Sequence, residues 1–283
     1  MRSLSPGLPA ADAASARPGI DRLDRRNFLA DVVINHGPQD ILSRLFLKAD
    51  TELRLRGLNM SFTSFDELVE INRANADSWH PLVSVFDPVL GGASTENGFV
   101  LIGNDTNGRV VSAFAARHYS LTDCTLKEEI ESLRLFYADT EARRRQGEHI
   151  EVSAPTPATT RNGAVYIGGV WFHPDLRGQR LHRIMSPITR ALSYTRWGAD
   201  VAFSLMVEEN IATGVARSAR FPHVEWGATW TNSTVFGEGT LELAFVWTSA
   251  REQLQHFTEF AGDASPRGES AATGAPGRKS ASI

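Results

Sequence analysis

The sequence predicts an α/β fold in which helices flank a mixed central β-sheet. Three observations carry this. Apolar residues alternate with period two at 51–58 and 241–248, the spacing of half-covered strands. Other segments repeat apolar residues every three or four positions, as Leu126, Ile130, Leu133 and Tyr137 do. From 164 to 219 strand and helix patterns take turns, the order that a parallel strand pair with a crossover helix needs.

Taken in order, ordered structure is expected from about Gln39. Ile41, Leu42, Leu45, Phe46 and Leu47 form a helical stripe after Pro38. Over 51–58, Leu53, Leu55 and Gly57 alternate with charged residues, which predicts a strand. Ser64 stands three residues before Glu67, a capping-box start, so 64–76 is predicted as a helix. The apolar runs 99–102 and 110–116 flank Asn107-Gly108, a hairpin signal. One helix is predicted over 125–145, its outer face acidic early and basic late, as the helix dipole favours. Pro155 and Pro157 mark a loop. A buried strand is predicted at 164–172, a helix at 179–196 with Pro187 as a kink point, and a strand at 201–207. A short helix at 210–219 and two strands, 223–230 and 241–248, complete the pattern.

Composition narrows the function. The chain has 283 residues, 42% of them hydrophobic, with a formal net charge of −4. That charge argues against a general nucleic-acid binder. No apolar run is long enough to span a bilayer, so no membrane partner is expected. The single cysteine, Cys124, excludes an intrachain disulfide and fits a reducing, cytoplasmic setting; it reads as a structural or surface thiol. Residues 1–37 and 262–283, poor in apolar side chains, are expected to be disordered tails around a domain at 38–261. No metal site is expected.

The most informative segment is Val170-Trp171-Phe172-His173-Pro174-Asp175-Leu176-Arg177-Gly178-Gln179-Arg180-Leu181-His182. A buried strand ends at Pro174, and a short turn opens a helix. Unpaired N–H groups at a helix start attract phosphate, and Arg177, Arg180 and Arg183 add charge there. By its residues alone the segment reads first as a strand–turn–helix crossover with a solvated basic helix start, because a single Arg-Gly turn is not the spacing of a phosphate-binding fingerprint.

This segment resembles the GNAT superfamily of N-acetyltransferases. Phe172-His173-Pro174 matches the family's strand end, and Arg177 matches the first position of its Arg/Gln-x-x-Gly-x-Gly/Ala motif. The strand at 201–207 followed by a helix from Asn210 matches its next motif, and the element order from 51 to 248 also fits, apart from the 125–145 helix. Arg180 and His182 stand where the family has small residues, and Arg217 stands where it often has an acid tyrosine.

The resemblance implies an N-acyltransferase moving acetyl, or another acyl group, from acyl-CoA to a primary amine by direct attack. The acceptor is a small molecule or a protein, and a homodimer is compatible with the family. Gly169, Val170, Trp171 and Phe172 would pair with the pantetheine arm. Arg177, Gly178, Gln179, Arg180, Leu181 and His182 would hold the pyrophosphate, with Asn210 and Arg217 nearby. Glu208, Glu209 and His173 are the candidates for proton transfer. Tyr166 reads as core, and Trp79 and His80 are acceptor-side candidates within 65–86. A longer acyl donor, as in enzymes that make acyl-amino-acid or acyl-lactone signals, shares the fold. The departures at Arg180, His182 and Arg217 support an alternative, a fold that has lost CoA binding and acts as an interaction or regulatory module.

Overall fold

The computed structural model describes residues 25–262; the tail expectations for 1–24 and 263–283 lie outside the described residues. A single eight-stranded sheet organises the described residues, in the order β1-β2-β3-β5-β6-β8-β7-β4. The strands are β1 (Asn59–Thr63), β2 (Gly98–Asn104), β3 (Val110–Leu121), β4 (His149–Val152), β5 (Asn162–Phe172), β6 (Val201–Met206), β7 (His223–Ser233) and β8 (Gly237–Ser249). Every neighbouring pair is antiparallel except β5 and β6, which are parallel. The predicted mixed sheet flanked by helices is therefore the observed fold.

The helices divide between two faces. On one lie α1 (Gln39–Arg54), α6 (His182–Trp197) and α9 (Ala250–Gly262), whose Leu45, Ile188 and Phe257 pack with Phe114 and Val246 of the sheet. On the other lie α2 (Phe65–Ala74) and α3 (Leu126–Glu131), with Leu68 and Ile130 packed against Tyr166, Phe203 and Phe245. Short helices α4 (Thr140–Arg145), α5 (Pro155–Thr159), α7 (Glu208–Ala212) and α8 (Val215–Ser218) fill the connections. The Ser64 side chain caps α2 by accepting from the Glu67 N–H at 3.1 Å, and the hairpin at Asn107-Gly108 joins β2 to β3.

Several expectations are corrected. Residues 51–58 do not form a strand. Leu53 continues the buried stripe of Leu42, Leu45, Phe46 and Ala49, so α1 runs to Arg54, while Leu55 is 82% exposed. The predicted helix at 125–145 is two short helices. Leu133, Leu135, Phe136 and Tyr137 are all buried, which a single helical face cannot achieve, and Leu133 leaves the helix at φ +66°. β4 and α9 were not anticipated. Helix α6 begins at His182 rather than 179, and the helix expected at 210–219 starts at Glu208 and breaks at Gly214, which has φ +78°.

The fold also begins before Gln39, which corrects the tail boundary for residues 25–37. Phe28 is fully buried against Phe46, ring centroids 6.2 Å apart. The Asn27 amide donates to Asp50 at 2.7 Å and to Asn59 at 2.8 Å, tying this segment to α1 and β1. Leu29, Val32 and Ile34 pack against the same cluster as Phe28, so the apolar run 28–34 is part of the core although it keeps neither strand nor helix spacing. Removing the Phe28 ring should be costly: Phe28→Ala is expected to lower unfolding stability by about 3–5 kcal/mol in urea titration. A loss within error would show that the segment only rests on the domain.

Candidate functional site

The parallel pair makes the site. β5 and β6 are in register only at Ala164 with Val201, Val165 with Ala202 and Tyr166 with Phe203. Beyond that they part, β5 continuing against β3 to Phe172 and β6 against β8 to Met206. Each strand keeps a partner on its outer edge and turns an unpaired edge towards the other. Such an edge carries backbone donors and acceptors ready to take an extended chain. The parallel pairing of these two strands is what the strand–helix–strand order predicts.

A β-bulge lies in the same stretch. Ala115 pairs with Gly168 and Ala113 with Trp171, so β5 carries one residue more than β3 there. Gly169 holds φ +58° at the bulge, and a Cβ on Gly168 would come within 2.8 Å of the Phe86 ring. The extra residue reverses the alternation, which puts Tyr166 and Trp171 on the same face of the sheet. Of the predicted strand residues, Val170 is 46% exposed, Phe172 is partly buried against Phe114, and Trp171 is buried. Trp171 stacks on Trp79 at 5.3 Å and donates from Nε1 to the Ser78 hydroxyl at 3.2 Å.

The connection from β5 to α6 supplies the second part. Gly178 has φ +83° and Arg180 has φ +57°, so an arginine holds a left-handed backbone that glycine adopts more readily. The amides of Gly178, Arg180, Leu181 and His182 make no backbone hydrogen bond within the described chain. The Gln179 amide reaches the Leu176 carbonyl at 3.4 Å. Leu181 is buried and offers only its backbone, whereas Gly178, Gln179 and Arg180 are exposed. Arg177 is exposed too, yet its Nη2 donates to the Ser78 carbonyl at 2.8 Å, so it bridges to the loop after α2. Burial, and then the charges of Arg183 and Arg180, lower the His182 pKa and so favour its neutral ring.

The expected proton-transfer groups are less concentrated. Glu208 and Glu209 are exposed in the first turn of α7, and Asn210 is exposed beside them. His173 follows β5 directly; its Nδ1 accepts from the Asp175 N–H at 3.3 Å, and its ring meets Trp171 edge-on. Arg217 sits apart in α8, on the rim of a basic cavity with His182 and Arg183. Trp79 is buried, whereas His80 is exposed. Sequence reading missed Tyr166 as a site residue. It is the last residue of β5 paired with β6, and its phenol faces the Ser204 hydroxyl and the Leu205 N–H where the strands part. Burial raises its pKa, against the opposite pull of those two groups, so the phenol keeps its proton.

Neither a family model nor a curated relative matches the sequence. Among solved structures, the chain is similar to a dodecameric spermidine N-acetyltransferase from Vibrio cholerae, at 9% identity and TM-score 0.39, over 71% of this chain and 98% of that one. It is also similar to FeeM, an N-acyl amino acid synthase from uncultured soil microbes, at 8% identity and TM-score 0.41, covering 72% and 97%. A third is yncA from Salmonella typhimurium, assigned as an acetyltransferase and solved with its cofactor acetyl-CoA, at 14% identity and TM-score 0.34, covering 69% and 94%. At these TM-scores the likeness is one of gross architecture alone.

The left-handed arginine is directly testable. Arg180→Gly should stabilise the fold by about 1 kcal/mol, because it relieves the steric cost of a Cβ at positive φ. Chemical denaturation reads this out; an equal loss would show that the Arg180 side chain holds the turn.

Proposed function

We propose that the chain is an acyl-CoA-dependent N-acyltransferase that passes an acetyl or other acyl group to a primary amine by direct attack. The observation that supports it most is the wedge between β5 and β6, opening beside the free amides of Gly178, Arg180, Leu181 and His182. Unpaired strand edges suit a pantetheine arm, with its two amides, lying as an extra strand along Gly169, Val170, Trp171 and Phe172. Free amides at the start of a sixteen-residue helix, flanked by Arg177, Arg180 and Arg183, suit a pyrophosphate. The Asn210 N–H donates to the Val207 carbonyl at 3.1 Å, and its place in the donor site rests on the motif. Arg217 would add charge near the donor and not protons, since a guanidinium stays protonated.

When bound, the thioester supplies the activated acyl group. The protein polarises its carbonyl with a backbone N–H from the free edge of β5. The acceptor nitrogen bonds to the acyl carbon as the carbon–sulfur bond breaks. One amine proton leaves to a base; His173, at the end of β5, stands nearer the wedge in sequence than Glu208 and Glu209 at the start of α7. The departing sulfur takes a proton, and Tyr166 is the buried phenol at the fork that can give it. The acceptor enters from the α2 side, where Trp79, Trp171 and Phe86 wall the bulge.

A second reading, a fold without CoA binding that serves as an interaction module, is favoured by one specific pair of contacts. The Arg177 guanidinium is engaged by Ser78, and the Tyr166 phenol already faces the Leu205 N–H.

Calorimetric titration with acetyl-CoA separates the two. Under the enzyme reading the wild type binds, and Arg177→Ala raises the Kd by about tenfold to a hundredfold, the loss of one charge-assisted phosphate contact. His182→Gly leaves affinity unchanged or improves it. No binding at millimolar acetyl-CoA would turn the assignment to the interaction module. A separate measurement addresses Tyr166: Tyr166→Phe should reduce turnover by about a hundredfold or more while leaving acetyl-CoA affinity within a few fold. Unchanged turnover would remove the phenol from the proton path.

A further inference from the structure

A cavity of about 630 Å³ lies between α6, α8 and α9, within the range of small-molecule sites. Its floor includes Arg190, in the middle of α6 and only 2% exposed. A buried guanidinium ordinarily faces a carboxylate, because an unpaired charge in the interior is costly. Arg190 does not. Its Nη1 donates to the Arg220 carbonyl at 2.6 Å, while its Nε and Nη2 are buried without a hydrogen-bond partner. Those two N–H groups lie on one edge of the guanidinium, the edge that grips two oxygens of one anion side-on.

The surroundings point the same way. Arg183, Arg217 and Arg220 join Arg190 on the cavity wall, four guanidinium groups against two carboxylates, Glu252 and Glu259. Glu252 is already taken by His223 and Ser249, and Glu259 accepts from the Gln255 amide. His256 also lines the cavity and leaves a buried Nδ1 unpartnered; burial, and then Arg190 and Arg220, pull its pKa down to about 4. Arg190 itself is lowered to about 9 by burial and by Arg220, which leaves it charged at neutral pH. Arg220 holds φ +60°, a left-handed backbone that a non-glycine residue adopts at a cost, and it is this residue whose carbonyl fixes Arg190.

We propose that this cavity is a binding site for a phosphate monoester carried on a small molecule, with Arg190, whose unpartnered Nε–Nη2 edge is closed to solvent in this structure, turning that edge to the phosphate. A dianion answers the excess of positive charge, and the volume left beside it takes the body of the ligand along Phe221 and Pro222. α9 forms one wall, so the site extends beyond the wedge and the turn at Arg177–His182. It stands whether or not the chain uses acyl-CoA. Two sources carry this group: a separate phosphorylated metabolite, or the 3′-phosphate of the acyl donor, since His182 and Arg183 lie on both the cavity and the start of α6.

The test is a thermal-shift and calorimetric titration of the full chain with inorganic phosphate, against chloride at matched ionic strength. The wild type should show saturable binding that chloride does not reproduce. Arg190→Gln, which keeps a donor for the Arg220 carbonyl, should weaken phosphate by about tenfold or more and raise the melting temperature in its absence, because an unpaired buried charge is gone. Arg220→Gly, which keeps the left-handed backbone, is the second variant and should also weaken phosphate. No saturable binding by the wild type, or binding undiminished in both variants, would overturn the site. Acetyl-CoA and its 3′-dephospho form then identify the source. If the donor's own phosphate is the occupant, Arg190→Gln weakens acetyl-CoA and leaves the dephospho form unchanged. If a separate metabolite is, Arg190→Gln affects neither, and phosphate binds alongside the donor. Phosphate binding with no response to either CoA form would retain this site and reject the acyltransferase reading.

Discussion

Everything at the site depends on two parallel strands that stop pairing. β5 and β6 share three residue pairs and then separate, although both continue as strands. Backbone groups on those inner edges lose the partners a sheet would give them, and unmade hydrogen bonds of this kind are expensive when buried. A sheet tolerates such a gap in its middle only where something else answers the exposed groups. In the free chain the Tyr166 phenol faces part of the gap, near the Leu205 N–H. An extended ligand with its own amides would answer the rest.

The surrounding packing holds the strands apart. The extra residue in β5 bends it at Gly168 and Gly169, and Phe86 sits so close to Gly168 that a methyl group there would collide with its ring. Past the bulge, Trp171 is held by Trp79 and Ser78, and Arg177 by the Ser78 carbonyl. The loop after α2 therefore fixes both the end of β5 and the turn into α6. On the far side β6 is secured by β8, with Phe203 and Phe245 stacked at 5.2 Å. Each strand is anchored outward, β5 by β3 and β6 by β8, and these pairings set where the two strands part.

Much of this was legible in the chain. Long periodic segments and explicit turn signals were read correctly: the Ser64 cap, the Asn107-Gly108 hairpin and the β5–α6–β6 crossover all stand. Errors fell where local pattern competes with tertiary packing. The 51–58 alternation lost to the helical stripe ending at Leu53, and the 125–145 helix lost to four buried residues that needed a left-handed break at Leu133. α9 carried a readable signal in Ser249 and Glu252, which cap each other's ends of its first turn. Tyr166 was placed in the core, which is correct, but its reach to β6 depends on the wedge itself. Arg190 gave no sequence signal, since an arginine in an amphipathic helix normally reads as solvated. Only burial without a carboxylate partner distinguishes it.

The wedge as a strand-shaped receptor is most directly tested by amide hydrogen exchange with and without acetyl-CoA. If an extended arm lies along the free edge of β5, exchange should slow at amides within 167–172 and 204–207, and at 178–182 where the pyrophosphate would rest. β1 and β4, at the two outer edges of the sheet, should be unaffected. Binding of acetyl-CoA that leaves the 167–172 amides unchanged, or protects a different part of the chain, would contradict the account.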